Sequence, residues 1–338
     1  MTGHFEAQIE QTATRPLRKV LAIADGPDDA ATLAAAGEFA ARHNAALTAL
    51  SCVEPPTDMD PLARSTRLSA DDMIRRLVEV RREALVNLAR QTGLIDVQRI
   101  HVTTGKPFLE ICRYVSANAI ELVVKTAECL PSPGAFLFAS TDQHLVRKCP
   151  CSVWLRLPDA PHPPKTILAA VDVDDWDARE PETLAALNRK IIETALRLAP
   201  GPGAVIHVLH AWDAPGEGLV ALFSSAQESQ VAAQRYVNDV HNAHTASLER
   251  LVSPYRVRSK QTGGPTILPR LGKGAVRSVI ADQAGSLGAE ILVMGTVART
   301  GISGILIGNT AEDILNTVDC SVMTVKPEGF VSPLNFKA

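Results

Sequence analysis

The sequence predicts an α/β chain built from two tandem doubly wound domains, each on a five-stranded parallel sheet. Three observations carry this reading: the chain repeats itself, short apolar runs alternate with helix-period stretches, and a proline-rich segment separates the two copies. Its 338 residues are enough for two cores of ordinary size.

The repeat opens with Lys19-Val-Leu-Ala-Ile-Ala-Asp25, answered by Lys165-Thr-Ile-Leu-Ala-Ala-Val-Asp172. Each is an apolar run closed by an acid and followed by turn-forming residues, the pattern of a buried opening strand. Thr104-Gly-Lys-Pro107, a helical pattern and the strand pattern of 119–124 are answered by Leu271-Gly-Lys-Gly274, a helical pattern and 289–294. From Glu121 against Glu290 to Cys151 against Cys320 the copies align at a constant offset of 169 residues. The offset is smaller at the first strands, which places extra residues of the second copy around 176–190 and 228–252. Four prolines fall among the eight residues 157–164, where they disfavour both helix and central strand. The expected domains are therefore 17–157 and 165–328.

Along the first copy the order is an apolar strand at 20–24, an alanine-rich helix at 32–43 and an apolar strand at 46–53. A mixed charged and apolar helix follows at 70–92, then a strand at 98–103 and a helix at 107–118 that starts on proline. The buried run 122–126, a helix at 141–147 and a strand at 152–155 complete it. Such alternation implies parallel strands, right-handed crossovers and helices on both sheet faces. Ligands of such sheets bind at the carboxyl ends of the strands, where the strand order reverses, so the loops after strands one and four hold the interest.

Composition narrows the function classes. The chain is 46% hydrophobic and 21% charged with a net charge of -3, which leaves no positive excess to neutralise a phosphate backbone, so no nucleic-acid partner is expected. No run reaches the roughly 18 apolar residues of a membrane span, and the polar first sixteen residues lack the core of a secretory signal. A cytoplasmic protein without membrane attachment is the expectation. Six scattered cysteines suggest reduced thiols. The closest two, Cys149 and Cys151, share one face if they lie in a strand, and two ligands are too few for a metal, so they read as packing residues with a redox pair as the alternative.

The loop after the fourth strand of the second copy runs from Met294-Gly295 to Gly308-Asn309-Thr310 and ends at a helix start near Ala311. Gly295 lets the backbone approach a ligand, and Gly308, Asn309 and Thr310 would offer amides and a hydroxyl at the positive end of the helix, a cradle for phosphate. The bland alternative is a glycine-rich turn from strand to helix.

This loop resembles that of the universal stress protein family, whose nucleotide-binding members carry glycine, two residues, glycine, nine residues, glycine, then serine or threonine. The spacing is kept as Gly295, Ala298, Gly308 and Asn309, with alanine at the second glycine and asparagine at the hydroxyl position, and Thr310 one place later. The resemblance extends over nearly all of residues 19–327, and the Gly-Asn-Thr-Ala-Glu form is similar to the tandem E subgroup. It implies an adenine nucleotide alpha hydrolase-like, Rossmann-like fold, with Asp172 beside adenine and ribose and the backbone near Ile206 meeting the base. In the first copy the aligned positions are Thr126, Cys129, Ala139 and Ser140, so every glycine of the frame is gone. That copy is expected to have lost the phosphate chemistry.

Other constellations carry less. Gly272-Lys-Gly274 is no P-loop, because Ile267 stands at the required first glycine and no hydroxyl residue follows the lysine. His241 and His244 share a helix face and would need a third ligand to hold a metal, whereas His207 and His210 point to opposite faces of a strand. Residues 219–223, with 73–88, either join the core or line an apolar interdomain pocket.

The expected function is binding of ATP or another adenine nucleotide, with magnesium, in the second domain. No catalytic residue and no metal ligand is assigned; hydrolysis is expected to be absent or slow, because no γ-phosphate machinery is visible. The resemblance implies a role in stress response through conformation or unidentified protein partners, with homodimerisation through last-strand edges. The alternatives are a nucleotide-independent scaffold and a binder of a hydrophobic or lipid-like ligand.

Overall fold

The computed structural model describes residues 16–93, 99–132, 135–138, 140–174, 180–223, 229–296 and 309–334. The chain divides into two compact units, one up to Thr126 and one from Ala127.

The first unit comprises β1 (Lys19–Ile23), α1 (Ala30–Arg42), β2 (Ala46–Val53), α2 (Met59–Thr66), α3 (Ala70–Thr92), β3 (Ile100–Thr104), α4 (Pro107–Asn118) and β4 (Leu122–Thr126). Its strands are all parallel in the order β4-β1-β2-β3. Val20 to Ile23 are buried, as expected of an inner strand covered on both faces. Helix α3 begins where the Ser69 hydroxyl accepts the Asp72 N–H at 3.1 Å, and it ends at Gly93 with φ +64°. Leu85, Leu88 and Ala89 form its buried stripe.

The second unit opens with an antiparallel hairpin, β5 (Cys129–Ser132) and β6 (Ala135–Phe138). Then come α5 (Ser140–Lys148), β7 (Ser152–Arg156), β8 (Thr166–Ala170), α6 (Pro181–Leu198), β9 (Val205–Trp212), α7 (Glu217–Phe223), α8 (Ser229–Thr262), β10 (Thr266–Lys273), α9 (Val276–Leu287), β11 (Ile291–Gly295), α10 (Asn309–Leu315) and β12 (Ser321–Val325). Five strands run parallel in the order β10-β9-β8-β11-β12, the predicted doubly wound arrangement. The extra residues of the second copy lengthen two helices: α6 has 18 residues against 13 in α1, and α8 has 34 against 23 in α3.

Strand β7, the fifth strand expected of the first domain, lies in the second unit and pairs antiparallel with β12, setting Trp154 beside Met323. The units thus part at Thr126, while the sequence copies part in the proline-rich segment. All five residues of β12 are buried, and β11 and β7 flank it on both sides. The edge expected to serve self-association is therefore occupied within the chain. Two further elements escaped the sequence reading, α2 and the hairpin. The hairpin stands where a loop was expected, with Leu130 in register with Leu137 and Cys129 with Phe138. No helix among the described residues is long and apolar enough to cross a membrane.

Candidate functional site at the carboxyl end of the second sheet

Neighbouring strands β8 and β11 run parallel, with Ala170 beside Met294, and leave the sheet at the same end. The chain continues from β8 to β9 on one side and from β11 to β12 on the other, so the strand order reverses between them. Asp172 follows β8 by two residues and Gly295 closes β11, which brings both predicted residues to the switch point.

The Asp172 turn is held from two sides. Buried Asn188 of α6 accepts the Asp172 N–H through Oδ1 at 3.0 Å, and its Nδ2 donates to the Asp172 carbonyl at 2.5 Å. The Asp172 side chain, 28% exposed, accepts the Asp174 N–H at 3.2 Å. On the other side, Nδ1 of buried His210 lies 3.3 Å from the Val171 carbonyl, 3.4 Å from the Val173 nitrogen and 3.9 Å from the carboxylate. The Nε2 of His210 meets Nδ1 of His244 on α8 at 3.1 Å, the rings stacked at 29°. One nitrogen of that contact must carry a proton and the other must lack one, so the pair holds at most one positive charge while the bond persists. The Trp212 ring packs against His244 and His241, and Lys273 lies 5.9 Å from its centroid while pairing with Glu217 at 2.9 Å. The result is a carboxylate fixed at the rim of a sheet, an acceptor for the hydroxyl or amino groups of a ligand.

Several expectations change. Ile206 is fully buried near the start of β9, in register with Ile167 and Ile267, so ladders flank it on both sides. It lies at the amino end of the strand, away from Asp172, and the residues of β9 near the site are His210 to Trp212. A Cβ on Gly295 would meet Leu187 Cδ2 at 2.8 Å, so its bare backbone serves close packing of α6 on the sheet. His244 turns to His210, and His241 packs on Trp212. The apolar run on α7 is not core: Leu222 is 74% exposed and Phe223 82%. Thr296, after Gly295, keeps its buried Oγ1 without a hydrogen-bond partner among the described residues. Asn309 and Thr310 open α10, whereas Ala298 and Gly308 lie outside the described residues.

Asn188 and the His210–His244 pair had no signal in the sequence, because each depends on a helix docking against a strand far away along the chain. The first copy is arranged differently. The carboxylate of Asp25 accepts from Ser51 Oγ at 2.6 Å and Cys52 N–H at 3.3 Å, and Arg81 of α3 pairs with it at 3.0 Å. Thr126, at the first-glycine position, donates to Asp29 at 2.5 Å. At this switch point the polar groups pair with one another, although the Asp25 side chain stays 43% exposed.

The model of the universal stress protein family matches residues 16–155 and 165–326. The universal stress protein E of Salmonella typhi is 30% identical over 232 residues, 68% of either chain, and that of Escherichia coli K12 is 29% identical over the same length. Two solved structures share the fold over almost the whole chain. A functionally unknown protein of Pseudomonas aeruginosa PAO1 covers 92% of this chain and 93% of its own at 22% identity and TM-score 0.57; a universal stress protein of Archaeoglobus fulgidus covers 91% and 98% at 14% identity and TM-score 0.54. The chain belongs to the universal stress protein family, as a tandem two-domain member similar to universal stress protein E.

Proposed function

We propose that this protein binds one adenine nucleotide, at the carboxyl end of the second sheet, and acts in stress response through binding and not through turnover. The observation that supports this best is the placement of Asp172 and Gly295 on neighbouring strands at the switch point. Asp172 would take the ribose or base; Gly295 would lead into Ala298, Gly308, Asn309 and Thr310, which would hold the phosphates with magnesium. The buried Thr296 hydroxyl, without a partner among the described residues, supports a polar ligand there, since buried polar atoms normally find a partner. Among the described residues no group is identified that would position an attacking water, and hydrolysis is expected to be absent or slow. The chemistry divides between domains 17–157 and 165–328, with Asp25 of the first already consumed by Arg81 and Ser51.

Calorimetric titration of nucleotide-stripped protein with ATP and magnesium tests this reading. One site per chain is expected, lost in Gly308→Val, weakened at least about tenfold in Asp172→Ala (roughly 1.4 kcal/mol) and unchanged in Asp25→Ala. Absence of heat, together with no nucleotide carried through purification, would leave the scaffold reading. That second reading draws on α7, whose exposed Leu219, Leu222 and Phe223 suit an apolar partner.

A further inference from the structure

Cys149 and Cys151 flank Pro150 between α5 and β7, and their sulfurs stand 3.6 Å apart. Two residues along a strand advance about 6.6–6.8 Å, so thiols on one strand face would not touch. Here the chain bends: the Cys149 N–H still bonds the Leu145 carbonyl at 2.9 Å as the last helical link, and β7 begins only at Ser152. The sulfurs are in van der Waals contact, and forming a disulfide requires them to close from 3.6 Å to about 2.05 Å.

The two thiols differ in access. Cys149 is sealed at 0% exposure, whereas Cys151 retains 9%. Half-buried Lys190 of α6 lies close enough to feel Cys151: burial lowers the lysine pKa most, Glu328 raises it, and a thiolate at Cys151 raises it to a lesser extent. A neighbouring ammonium favours the thiolate, the nucleophilic form. The repeat provides an internal contrast. Cys320 aligns with Cys151, but Val318 stands where Cys149 does, and burial pushes the Cys320 thiol up to about 12. Cys52 is likewise pushed up to about 12, by burial and then by Asp25.

We propose that Cys149 and Cys151 form a redox-active dithiol that a peroxide converts reversibly into a disulfide. The Cys151 thiolate attacks one peroxide oxygen; the O–O bond breaks, hydroxide leaves and takes up a proton as water, and Cys151 becomes a sulfenic acid. The Cys149 sulfur then attacks the Cys151 sulfur; the S–S bond forms, the S–O bond breaks, and the hydroxyl departs with the Cys149 proton as a second water. Two thiols lose two electrons and the peroxide gains them.

The test treats the folded, full-length reduced protein with hydrogen peroxide, alkylates it under denaturing conditions and maps its tryptic peptides. The peptide from Cys149 to Arg156, set off by Lys148, should appear unalkylated and two hydrogen masses lighter, and dithiothreitol should restore alkylation. Cys52 and Cys320 should be alkylated in both samples. In Cys149→Val, which copies the second repeat and so suits the fold, Cys151 should instead proceed to sulfinic acid. Full alkylation of Cys149 and Cys151 after peroxide would overturn the proposal, as would a mass loss that persists in Cys149→Val.

Discussion

Ala119 and Gly288 close equivalent helices, α4 and α9, in the left-handed region at φ +52° and +60°. Only glycine adopts this region without a Cβ penalty, so the first copy carries strain that the second avoids. Ala119→Gly should stabilise the protein by up to about 1 kcal/mol, and Gly288→Ala should destabilise it by about 1 kcal/mol, as read from urea midpoints. His207 offers a pH-dependent counterpart. Burial, and then Arg270, whose Nε donates to its Nδ1 at 3.2 Å, holds the imidazole pKa below its ordinary value of 6.5. As pH falls below that value the unfolded chain takes up the proton first, so this contribution to stability is present above it and lost as pH falls toward the depressed folded value. His207→Gln should flatten that part of the stability profile measured from pH 7.5 down to about 5; a profile parallel to the parent's would show that His207 is not responsible.

The element that positions the site is α6. It packs on β11 because Gly295 leaves room for Leu187, and the next residue, Asn188, holds the backbone of Asp172. Gly295→Val should therefore cost about 1–3 kcal/mol through overpacking and should also weaken nucleotide binding by displacing Asn188. Adding Leu187→Ala should recover part of the stability, because the two side chains compete for one space. Thermal unfolding and calorimetry on the single and double variants would separate these effects. Additive losses would mean that Leu187 is not what Gly295 accommodates.

For the whole molecule, the antiparallel ladder between β7 and β12 decides what remains available for assembly. Unpaired strand edges invite a second chain, and β12 has none to offer while β7 is in place. A fragment beginning at Lys165 lacks β7 and should associate through its exposed β12 edge, becoming dimeric in sedimentation analysis at concentrations where the full chain shows no such association through that strand. A monomeric, folded fragment would show that the edge alone does not drive association.

Much of the architecture was legible because apolar runs, turn residues and a 169-residue offset are local or self-referential signals. Most strands and helices of the first copy, Asp172 and Gly295 at strand ends, and the loss of glycines around Thr126 could all be read that way. The hairpin after β4, the occupancy of the β12 edge and the contact of Cys149 with Cys151 could not. Nor could the placement of Ile206 at the wrong end of its strand, since the register of β9 against β8 is set by neighbours some forty residues away along the chain. The sequence by itself determined the repeat, the fold class and the family, because these depend on periodicity and spacing along the chain. Only the tertiary structure decided that Asn188 and the His210–His244 pair support Asp172 and that Arg81 occupies Asp25, because those contacts exist only after helices dock on the sheet.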